Sequence, residues 1–270
     1  MKLHGSDRDT RGRAQKQRDS LGYQLRYALG NPERVMPHLR RVARNVVVGL
    51  RNRDHVGFYR EIMRRNVAAD PGLAVGSASR KRWMELGQAQ FDYLLANGLQ
   101  PSAHMLEIGC GNLRGGWRFI DYLPPGHYTG IDISPDVLFA AQRTLVEFGL
   151  QDKLPRLTPV EDLKLAWLPA GRFDVVHAHS VFSHCPINVI AECFAHVGRV
   201  MAPNGFLDFT YNATDERPHQ VLREDYYYRP ERLIELAEAH GFSAEPRLDW
   251  SGNRQAKMRL RPRSERQVGG

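Results

Sequence analysis

Residues 104–116 read HMLEIGCGNLRGG. A short apolar run carrying one acid, Glu107, breaks directly into glycines at 109, 111, 115 and 116. A run of this length bounded by glycine is the pattern of a buried strand. Glycines at its end let the backbone turn and approach a ligand with no Cβ in the way.

Outward from this stretch, helix and strand patterns alternate from about residue 80 onward. RWMELGQAQFDYLLANGL has helical spacing and stops at Gly98, before Pro101. After the glycines, NLRGGWRFIDYL reads as a helix and HYTGIDI as a second strand. SPDVLFAAQRTLVEFGL follows as a helix with Ser134 as its N-cap. KLPRLTPV, RFDVVHAHS and GFLDFTYN are expected as the third, fourth and fifth strands, with helices PINVIAECFAHVGRVM and RPERLIELAEAHGF after the fourth and fifth. SAEPRLDW and AKMRLRP, separated by SGNRQ, suit an antiparallel hairpin. This order predicts an α/β fold, Rossmann-like and doubly wound. Its sheet is mostly parallel and seven-stranded, with a C-terminal antiparallel hairpin.

Of 270 residues, 42% are apolar and 25% charged, as in an ordinary soluble globular chain. No stretch approaches the roughly 18 apolar residues of a membrane span, and the first 20 residues lack the apolar core of a signal peptide. A cytoplasmic location is therefore expected. Cys110, Cys185 and Cys193 show neither CxxC nor Cys/His ligand spacing, so reduced thiols and no metal site are expected.

The net charge of +8 is unevenly placed: residues 1–66 hold 16 Lys+Arg and 6 Asp+Glu, or +10, leaving −2 for residues 67–270. The expected organisation is a basic N-terminal arm, 1–66, with residues 1–20 disordered, and a main domain, 67–270. Within the arm Val35, Leu39, Val42, Val46 and Leu50 form one helical stripe, with Arg40, Arg41, Arg44 and Arg51 largely elsewhere. The favoured reading docks this helix on its own domain. The alternative uses it on an anionic membrane, as peripheral contact, or on an acidic substrate.

Charge narrows the ligand. A dinucleotide site would read GxGxxG, but Arg114 stands at the third glycine position and the spacing here is GxGxxxGG. A pyrophosphate would meet the carboxylate of Glu107 two residues before the first glycine, whereas S-adenosylmethionine presents an ammonium and a sulfonium. Asp132, ending the second strand, is placed to accept ribose hydroxyls, which fits either adenosine ligand. Plainer readings are an Arg-paired acid for Glu107 and a helix N-terminal acid for Asp132.

LEIGCGNLRGG, GIDIS, FDVVHAHSVFSHC and VGRVMAPNGFLDFTYN in this order resemble the class I S-adenosylmethionine-dependent methyltransferases, over about residues 80–262. RWMELGQAQFDYLLANGLQPSAHMLEIGCGNLRGGWRFIDYL further resembles a bacterial subgroup acting on small molecules, with a W, G, Q helix and LRGG after GCG. The resemblance implies that Gly109, Cys110 and Gly111, with Asn112, Arg114 and Gly115 of the same turn, follow the methionine part of the cofactor. It implies that Glu107 holds the amino end through the local network, Asp132 the ribose and Ile133 the adenine face. Glu161 or, by preference, Asp162 would meet the adenine amino group, and His179 and Ser180 would line the transfer pocket. Trp83, Gly87 and Gln90 would close over the cofactor, with helix packing as the alternative for Trp83.

A hydroxyl acceptor must lose its proton, so a histidine is the natural base. HAHSVFSHC offers His177, His179 and His184. His177 and His179 share a face, and His179 ranks first as catalytic residue and His184 second, with a structural or rim histidine as the alternative reading of each. ATDERPHQVLREDYYY reads as a lid over the acceptor, with Tyr226, Tyr227 and Tyr228 stacking on a sugar or aromatic ring, or equally as a connection whose tyrosines are packing residues. Trp83, Tyr211, Tyr227 and Tyr228 are the candidate acceptor contacts. The expected activity is metal-independent O-methylation of a small-molecule, sugar or lipid-linked acceptor. RNA or protein methylation with docking through the arm stands as an alternative, as do a non-catalytic nucleotide-binding protein and a nicotinamide enzyme. Nucleic acid as a partner would enter only through residues 1–66; the oligomeric state is left open.

Overall fold

The computed structural model describes residues 32–77 and 79–263. The expectation of disorder for residues 1–20, and the side chain of Val35, lie outside the described residues. The chain divides into two units between Arg51 and Asn52. The first contains the helix α1, Pro32–Arg51, on which Leu39, Val46, Val47 and Leu50 are exposed.

The second unit opens with α2, His55–Ala69, the one-turn α3, Pro71–Ala74, and α4, Arg80–Ala96. Asp54 caps α2 by accepting from the Gly57 amide at 2.7 Å. The expected boundary at 66/67 falls inside α2, which buries Phe58, Ile62 and Met63 in this second unit. There follow β1, Met105–Ile108; α5, Gly116–Tyr122; β2, Tyr128–Asp132; α6, Pro135–Glu147; β3, Arg156–Pro159; and β4, Phe173–Ala178. The chain continues through α7, Ile187–Val200; β5, Met201–Ala213; β6, His219–Val221; β7, Asp225–Tyr228; α8, Pro230–Ala239; β8, Phe242–Pro246; and β9, Ala256–Pro262. Ser134 caps α6 through the Val137 amide, as the sequence predicts.

The main sheet runs β3-β2-β1-β4-β5-β9-β8, parallel except for β9 and β8. These strands give the expected mostly parallel sheet with its antiparallel C-terminal pair, and β7 and β6, joined at the end of β5, extend the expected seven strands to nine. A parallel sheet is buried on both faces, and two apolar clusters cover these strands. One joins Val176, Ala178, Leu207 and Phe209 to Ile190, Phe194 and Val197 of α7 and Leu233 of α8. The other joins Met105, Val175 and Phe206 to Tyr93 and Leu94 of α4, Phe119 of α5 and Leu138 and Leu145 of α6. β3 is the least buried of the parallel strands because it forms the sheet edge.

Three details depart from the sequence reading. β5 starts at Met201, four residues early, and its pairing with β4 shifts register between Phe173 and Val175. The expected lid, ATDERPHQVLREDYYY, holds the hairpin β6–β7, and β7 pairs with the end of β5 through Asn212–Tyr227 and Ala213–Tyr228. The connection between β8 and β9 is longer than SGNRQ and runs from 247 to 255. Among the described residues no helix is long and apolar enough to cross a membrane.

Candidate functional site

The parallel strands present their carboxyl ends together, and ligands of open α/β sheets bind there. β1 enters this edge with Glu107 and leaves through Gly109 and Gly111, whose φ values of +67° and +57° suit glycine. A Cβ on Gly109 would lie 2.4 Å from Val181, and one on Gly111 2.9 Å from Val75. The turn is therefore covered closely by the segments after β4 and after α3. The amides of Gly109 and Cys110 both donate to Ile131 O on β2, at 2.7 and 3.0 Å, which locks the turn onto the neighbouring strand.

Glu107 is buried beneath the start of α5. The Tyr128 hydroxyl donates to it, and a Cβ on Gly116 would lie 2.9 Å from its carboxylate. Burial raises its pKa to about 7, with the charge of Asp132 adding to the rise and Tyr128 and Arg114 opposing it. Asp132 accepts from the amides of Gly111 and Ser134, both at 2.9 Å, and burial raises it to about 6 against those bonds. Two buried acids thus lie near the carboxyl ends of adjacent strands, each disfavoured as an anion by its burial. A cation placed between them offsets that penalty. Each Asp132 oxygen keeps a lone pair for a hydroxyl donor, so these residues fit a ligand with a cationic end and a diol.

Other turn residues hold the turn in place. Asn112 accepts from Trp83 Nε1 at 2.9 Å and donates to Pro71 O at 3.0 Å. Arg114 is buried and donates to Val75 O. Gly115 would meet Gln90 Oε1 at 2.9 Å if it carried a Cβ, and Gly87 would meet Arg114 O at 2.1 Å. Trp83, Gly87 and Gln90 therefore brace the turn from behind; Trp83 is buried at that brace and is not exposed to an acceptor.

The sequence reading missed α2, which it assigned to the arm. Arg60 donates from Nε to Ile133 O at 2.8 Å and from Nη2 to Val160 O at 3.0 Å, and pairs with Glu161 at 3.3 Å. It straps α2 across the ends of β2 and β3, where Ile133 was expected to face adenine. Asp162 instead accepts from its own loop, Lys164 N at 3.1 Å, and pairs with the Lys164 ammonium at 3.3 Å.

The three histidines part company. His177 is fully buried beside Asp208, itself paired with Lys257 and Arg259 of β9. His179 lies on the same face, its ring 6.0 Å from that of His177. It is roofed by the 247–255 connection: Trp250 meets it edge-on at 5.4 Å and Asn253 Nδ2 lies 3.3 Å from Nε2. Burial first, then the charges of Arg114 and Lys257, hold its pKa well below the usual histidine value. Ser180, at φ +58°, donates to Gln255 Oε1 at 2.8 Å. His184 is half-buried, with Nδ1 2.7 Å from Glu224 O and 3.3 Å from the Asp225 carboxylate, and its ring packs 5.6 Å from Tyr59 of α2.

Of the tyrosines, Tyr226 reaches this group, meeting His55 edge-on at 5.7 Å. Tyr227 stacks on His219 on the other side of the hairpin, at 4.7 Å. Tyr228 is buried and donates to Cys185 O at 2.7 Å, and Tyr211 is core. Tyr59, His55 and Asp225 had no signal in the sequence beyond their residue types. The cysteines are free and buried. Among the described residues no group of three or more His, Cys, Asp or Glu is arranged to hold a metal. A cleft of about 220 Å³ lined by His104, His127, Arg156 and Arg172 lies at the opposite end of the strands, away from the glycine turn.

Residues 106–207 match the family model described as a methyltransferase domain. The trans-aconitate 2-methyltransferase of Azoarcus sp. (strain BH72) is 25% identical over 141 residues, 52% of this chain and 51% of the relative. The chain spans about half the length of the curated relatives it matches. Among solved structures, magnesium protoporphyrin IX methyltransferase from Synechocystis PCC 6803 with bound SAH has a TM-score of 0.58 and 16% identity, over 78% of this chain and 100% of that one. The mitomycin 7-O-methyltransferase has a TM-score of 0.59 and 20% identity, over 83% of this chain and 68% of that one. At these identities the likeness establishes the fold.

Proposed function

We propose that this chain is an S-adenosylmethionine-dependent methyltransferase that methylates a hydroxyl of a small molecule without a metal. One observation carries the reading: two buried acids, Glu107 and Asp132, lie near the carboxyl ends of adjacent parallel strands beside the glycine turn. A pyrophosphate ligand would add negative charge to a site that already disfavours its own. The methyltransferase domain match and the shared fold support the same reading.

In this proposal Asp132 accepts the ribose hydroxyls, the backbone at Gly109–Gly111 follows the methionine part, and Glu107 supplies the negative field for the ammonium through the packed start of α5. The cofactor supplies a methyl group on a sulfonium, a ready leaving group, so the protein's task is alignment and proton removal. His184 is assigned as the base in preference to His179. A base must become charged, and burial beside Arg114 and Lys257 opposes that at His179. At His184 an Nδ1–H held by Asp225 and Glu224 O orients the ring and leaves Nε2 to accept the proton.

Calorimetric titration with S-adenosylhomocysteine and with NAD tests the cofactor; tight binding of NAD alone would overturn the proposal. Screening hydroxylated small molecules with labelled methyl donor then identifies the acceptor. His184→Ala is expected to lower turnover about 100-fold or more, with S-adenosylhomocysteine affinity unchanged. Unchanged turnover removes His184 from the mechanism.

A further inference from the structure

α1 carries four of the ten large hydrophobic side chains that are exposed in the described residues. Leu39, Val46, Val47 and Leu50 are 53%, 57%, 44% and 79% accessible, although a helix of a soluble chain ordinarily buries such a stripe. At about 100° per residue, Leu39, Val46 and Leu50 fall within roughly 40° of one another, with Val47 on one flank. Arg40, Arg44 and Arg51 follow on that same flank, between about 100° and 140° from Leu39. Arg40 and Arg51 are exposed. Glu33 is the one acid among residues 32–51, and the +10 of residues 1–66 contrasts with −2 in the rest of the chain.

We infer that α1 is a docking surface for an anionic lipid bilayer, lying in the plane of the interface with Leu39, Val46 and Leu50 in the acyl boundary and the arginines among the headgroups. An apolar arc bordered by arginines matches a surface that is anionic outside and apolar beneath. A nucleic-acid backbone would satisfy the arginines but leave the apolar arc in water. A second copy would cover the arc but bring like-charged rows together. The five arginines of the helix forbid a spanning role. The inference is independent of the methyl-transfer reading.

The test uses the full chain with vesicles of phosphatidylcholine and phosphatidylglycerol at roughly three to one, and with phosphatidylcholine alone, followed by co-sedimentation. Binding to the anionic vesicles and not the neutral ones is expected. The triple variant Leu39→Gln, Val46→Gln, Leu50→Gln keeps helix-forming side chains and should partition at least about tenfold more weakly, with S-adenosylhomocysteine binding unchanged. Three results would overturn the inference: equal partitioning of variant and parent, salt-sensitive RNA binding that the triple variant retains in the absence of vesicle binding, or a dimer in solution that the triple variant dissociates while vesicles bind neither protein.

Discussion

Glu107 shows how one side chain couples stability to ligand. Its folded pKa, raised from 4.5 to about 7, exceeds the unfolded value, so the native state holds the proton more tightly than the unfolded chain. The contribution is fully present below the unfolded value and is lost as pH rises through the folded one. Stability should fall by roughly 3 kcal/mol between about pH 4.5 and 7 on account of this group. Asp132, raised to about 6, acts with the same sign. Glu107→Gln removes only the first contribution. Thermal melts from pH 5 to 8 should therefore show the variant gaining on the parent as pH rises, while calorimetry shows S-adenosylhomocysteine binding about tenfold weaker. A melting difference that does not change with pH would contradict the burial of an ionisable Glu107. The single acid in an apolar run was legible in the sequence. The proximity of Tyr128, Arg114 and Gly116 to that acid was not, because each reaches it from a different element.

α2 is an element that sequence assigned to the arm and that tertiary structure holds against the ends of β2 and β3. Its two carbonyl contacts, Arg60 to Ile133 O and Val160 O, lie 73 and 100 residues away in the chain. Arg60→Ala should weaken S-adenosylhomocysteine about tenfold, by releasing two charge-assisted bonds, and should raise amide exchange in α2. Glu161→Gln should change affinity less than about twofold, because Glu161 is largely exposed and surface pairs contribute little. Equal losses in both would mean that the ion pair, not the carbonyl strap, holds the helix. Other elements were far more legible: Ser134 and Gly98 mark helix ends, and the runs leading into GCG and GIDIS carry the local signal of strands. The hairpin β6–β7 was read only as a lid or connection because DYYY and HQV are too short for periodicity to identify. Alternation within β7 then sends Tyr226 and Tyr228 one way and Tyr227 the other.

Across the whole molecule, the division at Arg51 and Asn52 places Phe58, Ile62 and Met63 in the core of the second unit. Deleting residues 1–51 should leave the melting temperature within about 2 °C and retain S-adenosylhomocysteine binding. Deleting residues 1–66 removes those three side chains with Arg60, and should destabilise the unit by several kcal/mol and abolish ligand binding. Comparable melting of both truncations would move the boundary back to residue 66. The amino-acid sequence by itself determined the succession of helices and strands along the chain, the antiparallel C-terminal pair, the glycine turn and the two acids beside it, since all of these follow from neighbouring residues. Tertiary structure alone decided that His179 is roofed by Trp250 and Asn253, that His184 meets Asp225, and that α2 covers the end of β2. Those contacts join residues some 40 to 75 apart or more in the chain, and their distances depend on packing that no local pattern encodes.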